Sequence, residues 1–178
     1  MINTIFDFEH FLIYLSGAMQ YMEDMGSKWR KEVVEKLVAK LDIKRGNIID
    51  PCNKPLTNLY NQDLDAVNMS RLDGLKNIGN WEAVEDIAKA TIHLDLRFVD
   101  KADIIYAHVD PKVFTCGTID EIITARTQKK PVILVVPGGL ENCPYWLLGR
   151  VGWRHVFPDD DSAIRYLVDI KEGKEPFD

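Results

Sequence analysis

The sequence predicts an α/β fold, a doubly wound parallel sheet with helices on both faces, and three observations carry that prediction. Residues 102–110 and 131–136 are two short apolar runs rich in Ile and Val. They lack the polar alternation of a half-wet sheet, and strands of that kind lie in parallel sheets covered on both sides. Between them, residues 116–125 have the length and composition of a helix, which completes a strand-helix-strand unit. The chain opens in the same order, strand, helix, strand, within about 40 residues, as a doubly wound fold does. In such a sheet the loops leaving the carboxyl ends of the strands form the ligand crevice. That places Asp110, the loop 111–117, Thr118 and Glu121 in one neighbourhood.

Taken in order, residues 1–10 show no periodic pattern and read as a leader. Residues 11–16 (FLIYLS) read as the first strand, and Gly17-Ala18 permits a close backbone approach at its end. Residues 19–26 form a loop or irregular turn in which Met19, Met22 and Met25 either pack in the core or line a flexible wall against a flat ligand. A helix capped by Ser27 follows: Trp29, Val33, Val34, Leu37, Val38 and Leu41 recur at three- and four-residue steps. Lys31, Glu32, Glu35, Lys36 and Lys40 take its other face. Residues 47–50 make a second short strand, stopped by Pro51.

Residues 51–80 are a polar insertion with room for a short helix, its periodicity weak in Leu59, Leu64, Val67 and Leu72. A connection of this length is often a lid or binding loop. Its Asp63, Asp65, Arg71 and Asp73 read as solvated or capping groups. Asn80 caps a helical run with Trp81, Val84, Ile87 and Ala88 inward, which continues across a possible break into 91–101. There Leu94 pairs with Phe98 and Asp95 with Val99, so Asp95 sits on the side approaching the sheet. A carboxylate there must find donors or shift its pKa.

Beyond the central unit, Pro137-Gly138-Gly139 is a flexible strand exit, too weak a signal for a phosphate loop. Tyr145, Trp146, Leu147 and Leu148 either pack on the fold or form a subunit contact. Arg150 and Arg154 are candidate donors to an anionic ligand or partners of nearby acids. Residues 153–157 suit a last short strand, and Asp159 to Asp161 introduce a terminal helix through Ala163, Ile164, Leu167 and Val168. With no repeat, low-complexity tract or linker, one domain accounts for residues 1–178.

Bulk composition narrows the function. The chain is 46% hydrophobic and 28% charged, an ordinary globular balance. Its net charge of -6 disfavours a broad nucleic-acid surface. No apolar run reaches the roughly 18 to 20 residues that span a bilayer, and residues 1–10 lack the features of a signal peptide. Three cysteines, 52, 116 and 143, have no metal-ligand spacing and suit a reducing cytoplasm. A metal is not expected.

The carboxylates are where chemistry is expected. Thr118-Ile119-Asp120-Glu121 fits a capping box, Thr118 as cap and Glu121 reaching back to its amide. The same Glu121, with the small Gly117 beside it, can instead attack an anomeric carbon or stabilise the cationic sugar formed there. Asp120 lies about 100° around the helix from it and cannot share its target. Departure of a nucleobase then needs an acid or hydrogen-bond donor, a role open to Asp95 or Asp110.

The stretch Ile13-Tyr14-Leu15-Ser16-Gly17-Ala18-Met19, then Asp95, residues 102–107 with Asp110, Gly117-Thr118-x-x-Glu121-Ile122-x-x-Ala125 and Lys130-Pro131-Val132 together resemble the nucleoside 2-deoxyribosyltransferase family. The resemblance spans residues 12 to 136. It implies a flavodoxin-like sheet, a homo-oligomer, no cofactor, and cleavage of the N-glycosidic bond of a 2'-deoxynucleoside or its 5'-monophosphate. By the same resemblance Glu121 is the nucleophile that forms a 2-deoxyribosyl ester, Asp95 and Asp110 contact the base, and Tyr14 and Gly17 line the sugar site. Ser16, Met19, Gly117 and Thr118 complete the expected substrate-binding set. The sugar then passes to a second free nucleobase in a transferase or to water in a hydrolase.

The chain departs from relatives that hydrolyse deoxynucleoside monophosphates. Where they carry Ser-Gly-Ser and Arg-Gly-Gly stretches it has Ser16-Gly17-Ala18-Met19-Gln20, which keeps a serine and loses the arginine. Asn142 is the nearest match to an asparagine that some transferases lend a neighbouring subunit. A non-catalytic nucleotide-binding protein is the competing class, and a redox flavodoxin is disfavoured because no Ser/Thr-rich phosphate loop follows the first strand.

Overall fold

The computed structural model describes residues 7–20, 22–53 and 64–176. Five strands, β1 (Ile13–Gly17), β2 (Ile48–Ile49), β3 (Ile104–His108), β4 (Val132–Val135) and β5 (Val156–Phe157), form one parallel sheet in the order β2-β1-β3-β4-β5. This is the doubly wound, flavodoxin-like order, whose direction of winding switches between β1 and β3. β1 and β3 run in register from Ile13 opposite Ile104 to Gly17 opposite His108. The crevice at their carboxyl ends is thus framed by Gly17 and His108.

Strand alternation divides the core. Ile13, Leu15, Ile104, Tyr106, Ile133 and Val135 face α1 (Ser27–Leu41) and α6 (Asp160–Lys171). Tyr14, Ile105, Ala107, Val132 and Leu134 face a second layer. It contains α3 (Trp81–Lys101), α4 (Cys116–Thr127) and α5 (Tyr145–Val151). Because both faces are covered, the apolar residues of β3 and β4 are buried, and only His108 at the end of β3 is partly exposed. No helix among the described residues is long and apolar enough to cross a membrane.

Several local expectations change. Ser27 is the first residue of α1 and not its cap: Asp24 takes that work, its carboxylate accepting from the Gly26 and Lys28 amides at 2.9 Å each. Gly26 occupies the left-handed N-cap position, φ 71°. The insertion holds a 14-residue helix, α2 (Leu64–Asn77), packed on α3. Leu59 and Asp63 lie outside the described residues, as do the side chains of Asp65 and Val67. The helix after Asn80 is continuous over 21 residues, and Asn80 does cap it, accepting from the Ala83 amide. Phe8, in the expected leader, is fully buried in the α1–α6 core against Phe11.

Candidate active site

Alternation along β1 sends Tyr14 and Ser16 toward the layer containing α4, while Leu15 packs on the opposite face. α4 begins at Cys116 with Thr115 at its N-cap position, three residues before the expected cap. Thr118 therefore lies inside the first turn, buried, its hydroxyl accepting from Thr115 Oγ1 at 2.6 Å. The capping box between Thr118 and Glu121 does not form. Glu121 falls on the inward side of the next turn instead, where the Tyr14 hydroxyl donates to its Oε1 at 2.7 Å and the Ser16 hydroxyl donates to its Oε2.

Tyr14 and Glu121 border a cavity of about 340 Å³, whose wall also includes Gly17, Met19, Asp95, Gly117 and Thr118. Seven of the nine residues singled out from sequence thus border one space. Ser16 stands just behind the wall, fully buried and bonded to Glu121. Asp110 is the exception and corrects the expected set. β3 ends at His108, and two residues later the Asp110 carboxylate folds back to accept from the Lys112 amide at 2.9 Å. It shapes its own turn and does not line the cavity.

The electrostatics set Glu121 apart. Burial, reinforced by the nearby Asp95 charge, pushes its carboxyl up to about 7, although the Ser16 and Tyr14 hydroxyls and the Arg30 charge pull the other way. Burial, with Glu121 and Asp95 nearby, also drives the Tyr14 phenol far above its ordinary range, so this hydroxyl remains a donor. The result is a carboxylate oriented by two hydroxyls at the edge of a ligand-sized space. Such a group is suited to nucleophilic attack or to stabilising developing positive charge.

Sequence reasoning missed Arg30, which is fully buried and borders the cavity. Its signal was present: position 30 falls on the same helical stripe as Val33, Val34, Leu37 and Leu41, where a cation is out of pattern. Phe114, Ile92 and Leu72 also contribute apolar wall, from the loop before α4, from α3 and from α2. Arg150 and Arg154 are exposed and outside the cavity wall, with Arg154 lying 5.2 Å over Trp153. Asn142 donates to Pro137 O at 2.7 Å.

A second polar group occupies the other sheet face. Asp160 Oδ1 accepts from the Tyr106 hydroxyl at 2.7 Å and lies 2.6 Å from His108 Nε2. The His108 ring stacks on Trp29 with centroids 3.8 Å apart. On the surface, Asp7, Glu9 and His10 bring ligand-type atoms within 4.8 Å of one another, but Glu9 is already paired with Lys44 at 2.8 Å. That group is no part of the cavity wall. Neither protein-family models nor curated proteins give a match to this chain.

Proposed function

We propose that the protein cleaves the N-glycosidic bond of a 2'-deoxynucleoside and transfers the 2-deoxyribosyl group to a second nucleobase. The observation that carries this reading is the Glu121 carboxylate, fastened by Tyr14 and Ser16 beside a cavity that Asp95 also borders. In this mechanism one Glu121 oxygen bonds to the anomeric carbon as the bond to the base nitrogen breaks. The electron pair leaves with the base, and Asp95, which takes up the proton that Glu121 gives up on ionising, delivers it to the base nitrogen. A second base then attacks the same carbon through a ring nitrogen, releases the Glu121 carboxylate and returns a proton to Asp95. No cofactor enters either step.

Tyr14 and Ser16 hold the nucleophile in one rotamer, so little freedom is lost when the sugar arrives. The apolar wall from Met19, Ile92 and Phe114 suits the flat face of a base. Three free cysteines support a reducing, cytoplasmic setting, and the same family resemblance makes the active form a homo-oligomer, which sedimentation of the purified chain tests.

The deciding experiment incubates the protein and Glu121→Ala with 2'-deoxynucleosides and their 5'-monophosphates, with and without a second free base. Base exchange by the native chain, lost in the variant, is the expected result. Free base with deoxyribose or its phosphate moves the reading to hydrolysis. Absence of turnover by a folded protein that still binds nucleotide replaces it with a binding protein.

A further inference from the structure

Arg30 is a charged side chain with no exposed surface, and burying a guanidinium is costly unless its donors are satisfied. Its partners are mostly backbone carbonyls. Nη2 donates to Gly17 O at 2.8 Å, and Nη1 donates to Gly26 O at 3.0 Å and to Met25 O at 3.4 Å. Asp50 Oδ1 stands 3.7 Å from Nε, an ion pair beyond hydrogen-bond reach. One side chain therefore ties Gly17, at the exit of β1, to Met25 and Gly26, just before α1. Gly17, Ala18, Met19 and Gln20 line the cavity.

The backbone is shaped around this tie. Met25 and Gly26 are both left-handed, with φ of 53° and 71°. A Cβ at residue 26 would lie 2.5 Å from Arg30 Nη1 and 2.5 Å from Ala18 O. Because Asp50 does not grip the guanidinium in a bidentate fork, much of the positive charge remains to act on its surroundings. Both Tyr14 and Glu121 feel it.

We propose that Arg30 is a positioning residue of this site, fixing Gly17, Ala18, Met19 and Gln20 as one cavity wall and supplying the buried positive charge that opposes Asp95 at Glu121. The inference rests on Glu121 acting as the nucleophile, because a nucleophile must be ionised and a wall must hold the sugar against it. Lysine cannot replace it fully: an ammonium has the charge but not the planar fork that reaches three carbonyls.

The test has two independent readouts on the native chain, Arg30→Met, Arg30→Lys and Asp50→Asn. One is the titration of the Glu121 side-chain carboxyl by carbon NMR, which needs no turnover. The other is the pH profile of kcat/KM for deoxynucleoside exchange. The Glu121 midpoint should rise by about 0.5 to 1 pH unit in Arg30→Met and return toward the native value in Arg30→Lys. Arg30→Lys should still lose about tenfold in kcat/KM through the loosened wall. Asp50→Asn leaves the guanidinium in place without its counter-charge and should lower the midpoint, so it decides the question even where Arg30→Met does not fold. A midpoint unmoved in Asp50→Asn, or in a folded Arg30→Met, overturns the inference whether or not the protein turns over deoxynucleosides. An Arg30-dependent midpoint in a protein without turnover upholds the electrostatics and overturns the catalytic reading on which positioning depends.

Discussion

Replacing Glu121 by Gln should remove most of a pH dependence that the half-buried carboxyl imposes on stability. Its pKa of about 7 lies 2.5 units above the ordinary 4.5. At roughly 1.4 kcal/mol per unit, ionising it in place costs about 3 kcal/mol of folding free energy. The sign follows from proton counting. Between pH 4.5 and 7 the folded chain holds a proton that the unfolded chain has lost, so stability falls as pH rises and the full cost is present above pH 7. From pH 5 to pH 8 the native chain should lose about 2 to 3 kcal/mol that Glu121→Gln does not lose. With a urea slope of about 2 kcal/mol per M for a chain of this size, that is a difference of about 1 M in midpoint. Urea unfolding followed by circular dichroism at both pH values measures it, and comparing the two changes cancels any pH-independent packing effect of the glutamine. Equal pH dependence in the two proteins would refute the account of a half-buried, proton-holding Glu121 and, with it, the electrostatic basis of the proposed site.

Asp95→Asn removes a negative charge that raises the Glu121 carboxyl, so the acidic limb of the exchange rate should move to lower pH even as the maximum rate falls; an unmoved limb in rate measurements counts against their coupling. Gly17→Ala would set a Cβ 2.6 Å from Trp29 Cζ2, and thermal unfolding should show a loss of about 1 to 3 kcal/mol as the indole is displaced. Asp160→Ala leaves Tyr106 and His108 without their shared acceptor and should destabilise by about 1 to 3 kcal/mol in denaturant unfolding at pH 7. The native Asp160 contribution is present above its unfolded pKa and should fade as pH falls, because its carboxyl is held below the ordinary value.

The sheet was legible because apolar runs such as 102–110 have few other homes, and because strand, helix and strand recur in an order that permits little else. Glu121 was harder. Thr118-x-x-Glu121 satisfies a capping pattern as well as a catalytic one, and only the true helix start at Thr115-Cys116 separates them. α2 was faint because it lies on α3 and not on the sheet, so it needs only a narrow apolar stripe. Asp110 was misplaced by two residues of strand end, enough to turn a carboxylate from crevice to turn. The Tyr106–His108–Asp160 group joins residues 52 and 54 positions apart and left no local signal at all.

That group also shows why Glu121 is the reactive carboxylate. Each of the two acids contacts two side-chain groups at the sheet, Tyr14 and Ser16 for one, Tyr106 and His108 for the other. Burial pushes both upward, yet they shift in opposite directions. Donor number therefore does not decide the outcome; the balance between burial, which is the larger cause at Glu121, and the neighbouring charges does. His108 and Lys36 favour the Asp160 anion, which becomes a settled fastening between β3 and α6. Glu121 meets Asp95 instead, with the Arg30 charge opposing it, and is held where gaining or losing a proton is nearly balanced near neutrality. A fold needs the first kind of carboxylate to stay together. It has no structural use for the second, whose burial lowers stability at neutral pH, so the cost is best explained by what the cavity beside it binds.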